Sequence, residues 1–188
     1  MLPNLLQNVS LFRTLYQIDL NLAQEFQQAG CPFCQGPLHH ASYLRKPRGG
    51  PLNIPEEYQV RQSLCCGREG CRRRVLPPSC LFQGRKVYWR AVILVVLSLR
   101  QGRFGGFFIN KLARMFSLAR KTIGRWIRYF QNKFTTSSQW LRLRGLIDIQ
   151  VTSHDLPGSL LAYFFQHQTS SAGGLINCLR FLASGHVY

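Results

Sequence analysis

The chain has 188 residues, with 24 lysines and arginines against 7 aspartates and glutamates, for a formal charge of +17. Its length fits one domain or two small ones, and 46% hydrophobic with 12% aromatic residues excludes general disorder. Such a charge implies a polyanionic partner, nucleic acid first and an anionic membrane second.

The charge is localised. The acids are Asp19, Glu25, Glu56, Glu57, Glu69, Asp148 and Asp155, so none falls between residues 70 and 147. That stretch carries 17 of the 24 basic residues; the remainder of the chain holds 7 of each sign and is neutral. A uniformly basic protein would not have this distribution, whereas a chain with one binding region would. The N-terminus lacks a basic region followed by an apolar one, so no secretory signal is expected. The longest apolar run, Ala91 to Leu97, is far short of the roughly 20 residues a membrane span needs. These features predict no membrane partner and a cytoplasmic location.

Residues 1–28 read as a helix, with Leu5, Leu6, Val9, Phe12, Leu15, Tyr16, Leu20, Leu22 and Phe26 mostly three and four apart. Gly30 and Pro32 end it. Residues 30–80 change character, being rich in Gly, Pro, Cys and Arg, with extended pieces around Leu38–Leu44 and Tyr58–Leu64. Glu56-Glu57 after Pro55 has the composition of a helix first turn. The segment at 86–100 is strongly apolar and its length favours a helix. Helices are also expected at 109–116 and 120–134, followed by a turn at Thr135–Ser138. One or two helices across 139–168 are broken at Pro157-Gly158, and a tail from Thr169 includes the apolar piece Leu175–Leu182. The chain thus divides into an N-terminal helical segment (1–29), a cysteine-containing module (30–80), a helical domain (81–134) and a C-terminal helical segment (135–188). Trp89, Trp126 and Trp140 are expected in the core.

Seven cysteines without an export signal favour metal binding over a disulfide framework. Cys31-Pro32-Phe33-Cys34 is a C-x-x-C knuckle, and some thirty residues later comes Cys65-Cys66-Gly67-Arg68-Glu69-Gly70-Cys71. Two cysteine pairs flanking a β-prone insert resemble a zinc ribbon, in which zinc takes four tetrahedral ligands. The ligands expected are Cys31, Cys34, Cys66 and Cys71, with Cys65 as a substitute for Cys66 and His39 or His40 as further alternatives. Four thiolates leave no open coordination position, so the zinc would be structural. Cys80 and Cys178 lack a close partner and read as packing residues.

The segment Ile109 to Phe134 has the pattern of a helix-turn-helix. Leu112, Ala113 and Phe116 share a face of the first helix; Ser117-Leu118-Ala119 connects it; Ile123, Trp126, Ile127 and Phe130 form the stripe of the second. Away from that stripe lie Arg120, Lys121, Thr122, Arg125 and Arg128, the expected base-reading face. Lys111, Arg114 and, on the cysteine module, Arg72, Arg73 and Arg74 are assigned to the DNA backbone. The expected fold class is therefore mainly α with a small β zinc-ribbon module and a helix-turn-helix architecture.

CPFC, then CCGREGCRRRVLPPS, then GRKVY, then a helix-turn-helix ending in RW resembles transposase-like proteins of bacterial mobile elements. The resemblance covers about residues 30–130. It implies recognition of double-stranded DNA by a bacterial, nucleoid-associated protein. In that family strand transfer occurs in a later RNase H-like domain that needs three carboxylates. After residue 70 only Asp148 and Asp155 remain, so the resemblance does not carry catalysis here and the chain is not expected to be an enzyme. The alternatives are an RNA-binding ribbon module, a non-catalytic subunit of a transposase or nuclease complex, and docking to a partner protein. His154-Asp155 has no nucleophile in a recognisable motif beside it and reads as a polar loop.

Overall fold

The computed structural model describes residues 2–101, 110 and 113–185. The expected first helix is divided. A single turn, α1 (Leu2–Leu5), precedes α2 (Val9–Gln28), which starts where Asn8 accepts the Ser10 N–H at 2.9 Å. A side-chain acceptor at that position satisfies one of the backbone donors left open at a helix start. Leu11, Phe12, Leu15, Leu22 and Ala23 form the buried stripe of α2, and Asp19 lies within it. Gly30, with φ +79, takes the left-handed turn that ends the helix.

The module that follows is built from short antiparallel strands. β1 (Leu38–His40), β4 (Leu64–Cys66) and β5 (Arg74–Val75) form one sheet in the order β1-β4-β5. β2 (Tyr43–Leu44) pairs with β3 (Val60–Arg61) in a second. Glu56–Gln59 is a single 3-10 turn after Pro55, in line with its composition. Register fixes the faces of the larger sheet. Leu38 lies opposite Cys66, and Leu64 opposite Val75, and these four with Cys31 form a small core of their own. A core this size cannot stabilise a module unaided, so a staple is expected of it.

All remaining elements share the main core. Helix α3 (Arg90–Gln101) is its axis, with every residue from Ala91 to Leu97 buried. A helix apolar all round belongs inside a protein, and burial there overrides the low helix propensity of Val92, Ile93, Val95 and Val96. It starts later than its composition suggests, because Tyr88 and Trp89 pair as extended chain with Arg48 and Phe82. Around α3 pack α4 (Arg120–Arg128), α6 (Gly158–Gln166) and α7 (Ser171–Ser184), the last two forming a hairpin. α4 continues into a wider π-helical turn, Tyr129–Phe134, before α5 (Ser138–Arg144). The Ser137 hydroxyl caps α5, accepting the Trp140 N–H at 3.2 Å. Trp89, Trp126 and Trp140 are all buried. The molecule is thus mainly helical with a small antiparallel sheet, and no helix among the described residues is long and apolar enough to cross a membrane.

A buried polar network ties the layers together. The Asp19 carboxylate accepts the Ser79 hydroxyl and, at 2.5 Å, the Cys80 N–H. The Arg90 guanidinium, itself buried, donates to the Ser79 carbonyl at 2.6 Å and to the Leu182 carbonyl at 3.1 Å. α2, the chain leaving the cysteine module, α3 and α7 are therefore joined through two residues, Ser79 and Arg90.

Candidate metal centre and basic surface

Two knuckles bring four sulfurs together. After Gly30 the chain turns back so that the Cys31 carbonyl accepts the Gln35 N–H at 2.8 Å, which places Cys31 and Cys34 on one side of the turn. The second knuckle leaves β4 at Cys66 and returns at Cys71 through Gly70, whose φ of +81 favours glycine. Cys31 Sγ lies 3.8 Å from Cys71 Sγ, and Cys34 Sγ lies 3.5 Å from Cys66 Sγ. All four sulfurs fall within 4.8 Å of one another. A tetrahedron with metal–sulfur bonds of about 2.3 Å sets neighbouring sulfurs about 3.8 Å apart. The spacing is compatible with a four-thiolate metal site and too long for disulfide bonds, and all seven cysteines are free.

Local geometry supports the cluster. The Arg68 N–H donates to Cys66 Sγ at 3.4 Å, and Arg68 Nη1 reaches the Cys34 carbonyl at 2.7 Å, binding one knuckle to the other. Burial opposes ionisation of Cys31, but N–H donors from Phe33 and Cys34 and the neighbouring thiols outweigh it and bring its pKa down to about 7. Burial pushes the Cys66 thiol up to about 12, so the cluster does not carry four negative charges unaided. A bound cation would reverse that penalty.

Gly36 is a residue that sequence reasoning passed over. A Cβ there would lie 3.2 Å from Cys66 Sγ, 3.3 Å from Cys34 Sγ and 2.9 Å from the Arg68 Cβ. The backbone at Gly36 therefore forms one wall of the sulfur cluster. Its only sequence signal is a glycine two residues after the first knuckle.

Cys65 stands outside the cluster, as a correction to its expected role as a substitute ligand. Consecutive residues of a strand face opposite ways, so with Cys66 turned inward, Cys65 Sγ meets the Arg72 carbonyl at 3.5 Å. Its cross-strand neighbours are His39 and Arg74. His39 and His40 are exposed and are not part of the four-sulfur group. Cys80 and Cys178 are buried in the main core, where desolvation raises both thiols, Cys178 to about 12.

The basic residues of α4 follow the helix period. Ile123, Trp126 and Phe130 are buried, whereas Arg120, Lys121, Arg125 and Arg128 are exposed. Thr122 is half-buried and accepts Arg125 Nη2 at 3.1 Å. Ahead of α4 the chain makes a tight turn. Ser117 adopts φ 49, its N–H reaches the Arg114 carbonyl at 3.2 Å, and the Leu118 N–H reaches the Ala113 carbonyl at 2.7 Å. Those two bonds around a left-handed residue form a Schellman helix end. Leu118 is buried beneath the turn, and Arg114 is exposed beside it. Lys111 and Leu112 lie outside the described residues.

Next to α4, Arg85, Lys86, Val87 and Tyr88 together with Thr122, Arg125 and Trp126 line an open groove of about 300 Å³. Lys86 Nζ sits 3.9 Å from the Tyr129 ring centroid, and desolvation followed by repulsion from Lys133 lowers its pKa. Arg45 of the cysteine module donates to the Gly84 and Lys86 carbonyls at 2.7 and 2.8 Å, fixing this loop to the module. Arg72, Arg73 and Arg74 are all exposed at the edge strand β5 and the turn before it. Among the described residues the one ion pair is His154–Asp155, so no carboxylate neutralises these cations. No family model, curated protein or solved structure matches the chain.

Proposed function

We propose that this chain is a sequence-specific binder of double-stranded DNA, of the transposase-like mobile-element kind, without catalytic chemistry of its own. In this reading residues 113–128 act as a helix-turn-helix, with α4 entering the major groove, and the cysteine module is a zinc ribbon. The single observation that carries it is the division of α4. One side is locked into the main core by Ile123 and Trp126, continued by Phe130 in the turn that follows, and the other presents Arg120, Lys121, Arg125 and Arg128 with no carboxylate partner. A helix held rigidly on one side and cationic on the other meets the geometric and electrostatic needs of groove binding. Arg125 and Arg128 are suited to paired hydrogen bonds with guanine. Arg114, Arg72, Arg73 and Arg74 would neutralise phosphates, as would Arg85 and Lys86 in the groove beside α4.

Cys31, Cys34, Cys66 and Cys71 would hold one structural zinc ion, which supplies folding energy to a module with a small core. The ion would leave the chemistry to the arginines, since four thiolates fill its coordination shell.

Selection of bound sequences from a random duplex library at two salt concentrations tests the reading. The expected result is one enriched motif that survives the higher salt. Engagement of ~6 to 8 phosphates would give a log–log salt slope of roughly −5 to −7. Binding without a motif that vanishes at the higher salt would overturn sequence-specific recognition. Preference for structured RNA over every duplex would overturn the choice of DNA.

A further inference from the structure

The cysteine module carries a feature that backbone neutralisation does not use. Pro32 and Phe33 lie between two inward-turned thiols, so the knuckle leaves them outside. Phe33 is 58% exposed and takes no part in the module's small core. The Arg73 guanidinium lies 4.5 Å from its ring centroid. The next residue, Arg74, lies 5.7 Å from the ring of Tyr43, which is also exposed. Arg72 precedes Arg73 in the chain, Arg68 reaches the carbonyl of Cys34 next to Phe33, and Glu69 is the one acid in the second knuckle.

Phosphates need cations but have no use for aromatic rings, and the bases of an intact duplex are stacked out of reach. Unpaired bases, by contrast, stack on exposed rings and guanidinium planes while neighbouring cations track the backbone. We propose that the exposed ring of Phe33, with Arg73 against it, binds a single DNA strand by base stacking at a place apart from α4, and that the phosphates neutralised by Arg72, Arg73 and Arg74 belong to that strand or to the duplex next to it. The choice of DNA over RNA rests on the reading given under Proposed function; the stacking itself does not. The partner this implies is DNA with an unpaired stretch next to its duplex.

The test uses the full chain loaded with zinc, a short oligothymidylate, an oligouridylate and a blunt duplex. Phe33→Ala should weaken oligothymidylate binding about tenfold or more, the range expected for one base stacked on a ring. Duplex binding and metal content should be unchanged, which separates lost stacking from lost folding. Phe33→Trp should retain oligothymidylate binding, and its added fluorescence should change when the strand binds. Equal binding by the wild type and Phe33→Ala would overturn the proposal, as would no binding of oligothymidylate by the wild type. So would equal losses for strand and duplex, or tighter binding of oligouridylate. Failure of the blunt duplex alone would instead count against the reading of α4 and leave the stacking face standing.

Discussion

Cys65 and Cys66 are neighbours in the chain, yet only Cys66 belongs to the sulfur cluster: it lies 3.5 Å from Cys34 Sγ, whereas Cys65 Sγ meets the Arg72 carbonyl. Strand periodicity causes the difference, and it gives the two thiols different chemistry. Cys66→Ser should abolish tight binding of zinc, or of cobalt followed by its thiolate absorption. Cys65→Ser should leave both intact. In the metal-loaded protein Cys65 should be the first thiol to react with a mild alkylating reagent, because the other six are cluster members or core residues. Metal loss in Cys65→Ser matching that in Cys66→Ser would show that the cluster is wrongly assigned.

Gly36→Ala should weaken the same site without removing a ligand. The added methyl would press on two sulfurs and on the Arg68 Cβ, all within 3.3 Å. Either the knuckles part or the metal–sulfur bonds stretch. The expected readout is faster zinc loss to a chelator and a lower unfolding temperature for the module, while Gly70→Ala disturbs the backbone alone through its positive φ. A chelation rate like that of the wild type would mean the crowding at Gly36 is relieved elsewhere.

Spacing alone made much of this molecule legible. The four clustered cysteines were readable because ligands must come in close pairs, and the buried stripe of α4 and the turn after it because Ile123, Trp126 and Phe130 repeat at helical intervals. What stayed hidden depends on partners far along the chain. Asp19 interrupts an apolar stripe and is satisfied from Ser79 and Cys80. Tyr88 and Trp89 look like helix residues but pair with Arg48 and Phe82, so α3 starts at Arg90. Gly36 matters because of residues thirty positions away, and a single glycine carries no sign of that. The outward turn of Cys65 needs the register of β4, which composition does not give.

Buried Asp19 makes stability depend on pH. Desolvation raises its pKa from 3.8 to about 6, against the lowering effect of Ser79, Cys80 and Arg61. The folded state therefore keeps this proton over a range in which the unfolded chain has lost it. Stability from this group is fully present below pH 4, falls as pH rises to about 6, and is constant beyond, a total of about 3 kcal/mol. Asp19→Asn should flatten that part of the profile in urea titrations from pH 4 to 7, since an amide can still accept the Cys80 N–H. An identical slope in wild type and variant would assign the dependence to other groups.

Ser117 pays a conformational cost that glycine would not, because it holds φ 49 at the end of a Schellman turn. Ser117→Gly should stabilise the fold by up to about 1 kcal/mol, the strain relieved being partly offset by the entropy glycine loses on folding. For a chain of this size the gain should raise the thermal midpoint by roughly 2–4 °C. The Ser117 carbonyl accepts the Tyr88 hydroxyl at 3.2 Å, a bond glycine retains. An unchanged or lower midpoint would mean that the serine conformation is not strained.

Arg125 and Arg72 should separate base reading from backbone attraction. Both are exposed cations, but Arg125 is held on α4 by Thr122 and by a helix face locked in the core, while Arg72 lies in the turn ahead of the edge strand β5. Arg125→Ala should cost about 1–3 kcal/mol on the selected sequence and relax the preference at one base position. Arg72→Ala should weaken all duplexes alike and reduce the salt slope by about one. The measurement is fluorescence anisotropy with the selected site, with single-base variants of it and with a scrambled duplex, each across a salt series. If Arg125→Ala lowers affinity equally for every duplex, Arg125 touches phosphate, and α4 would not be reading bases through this residue.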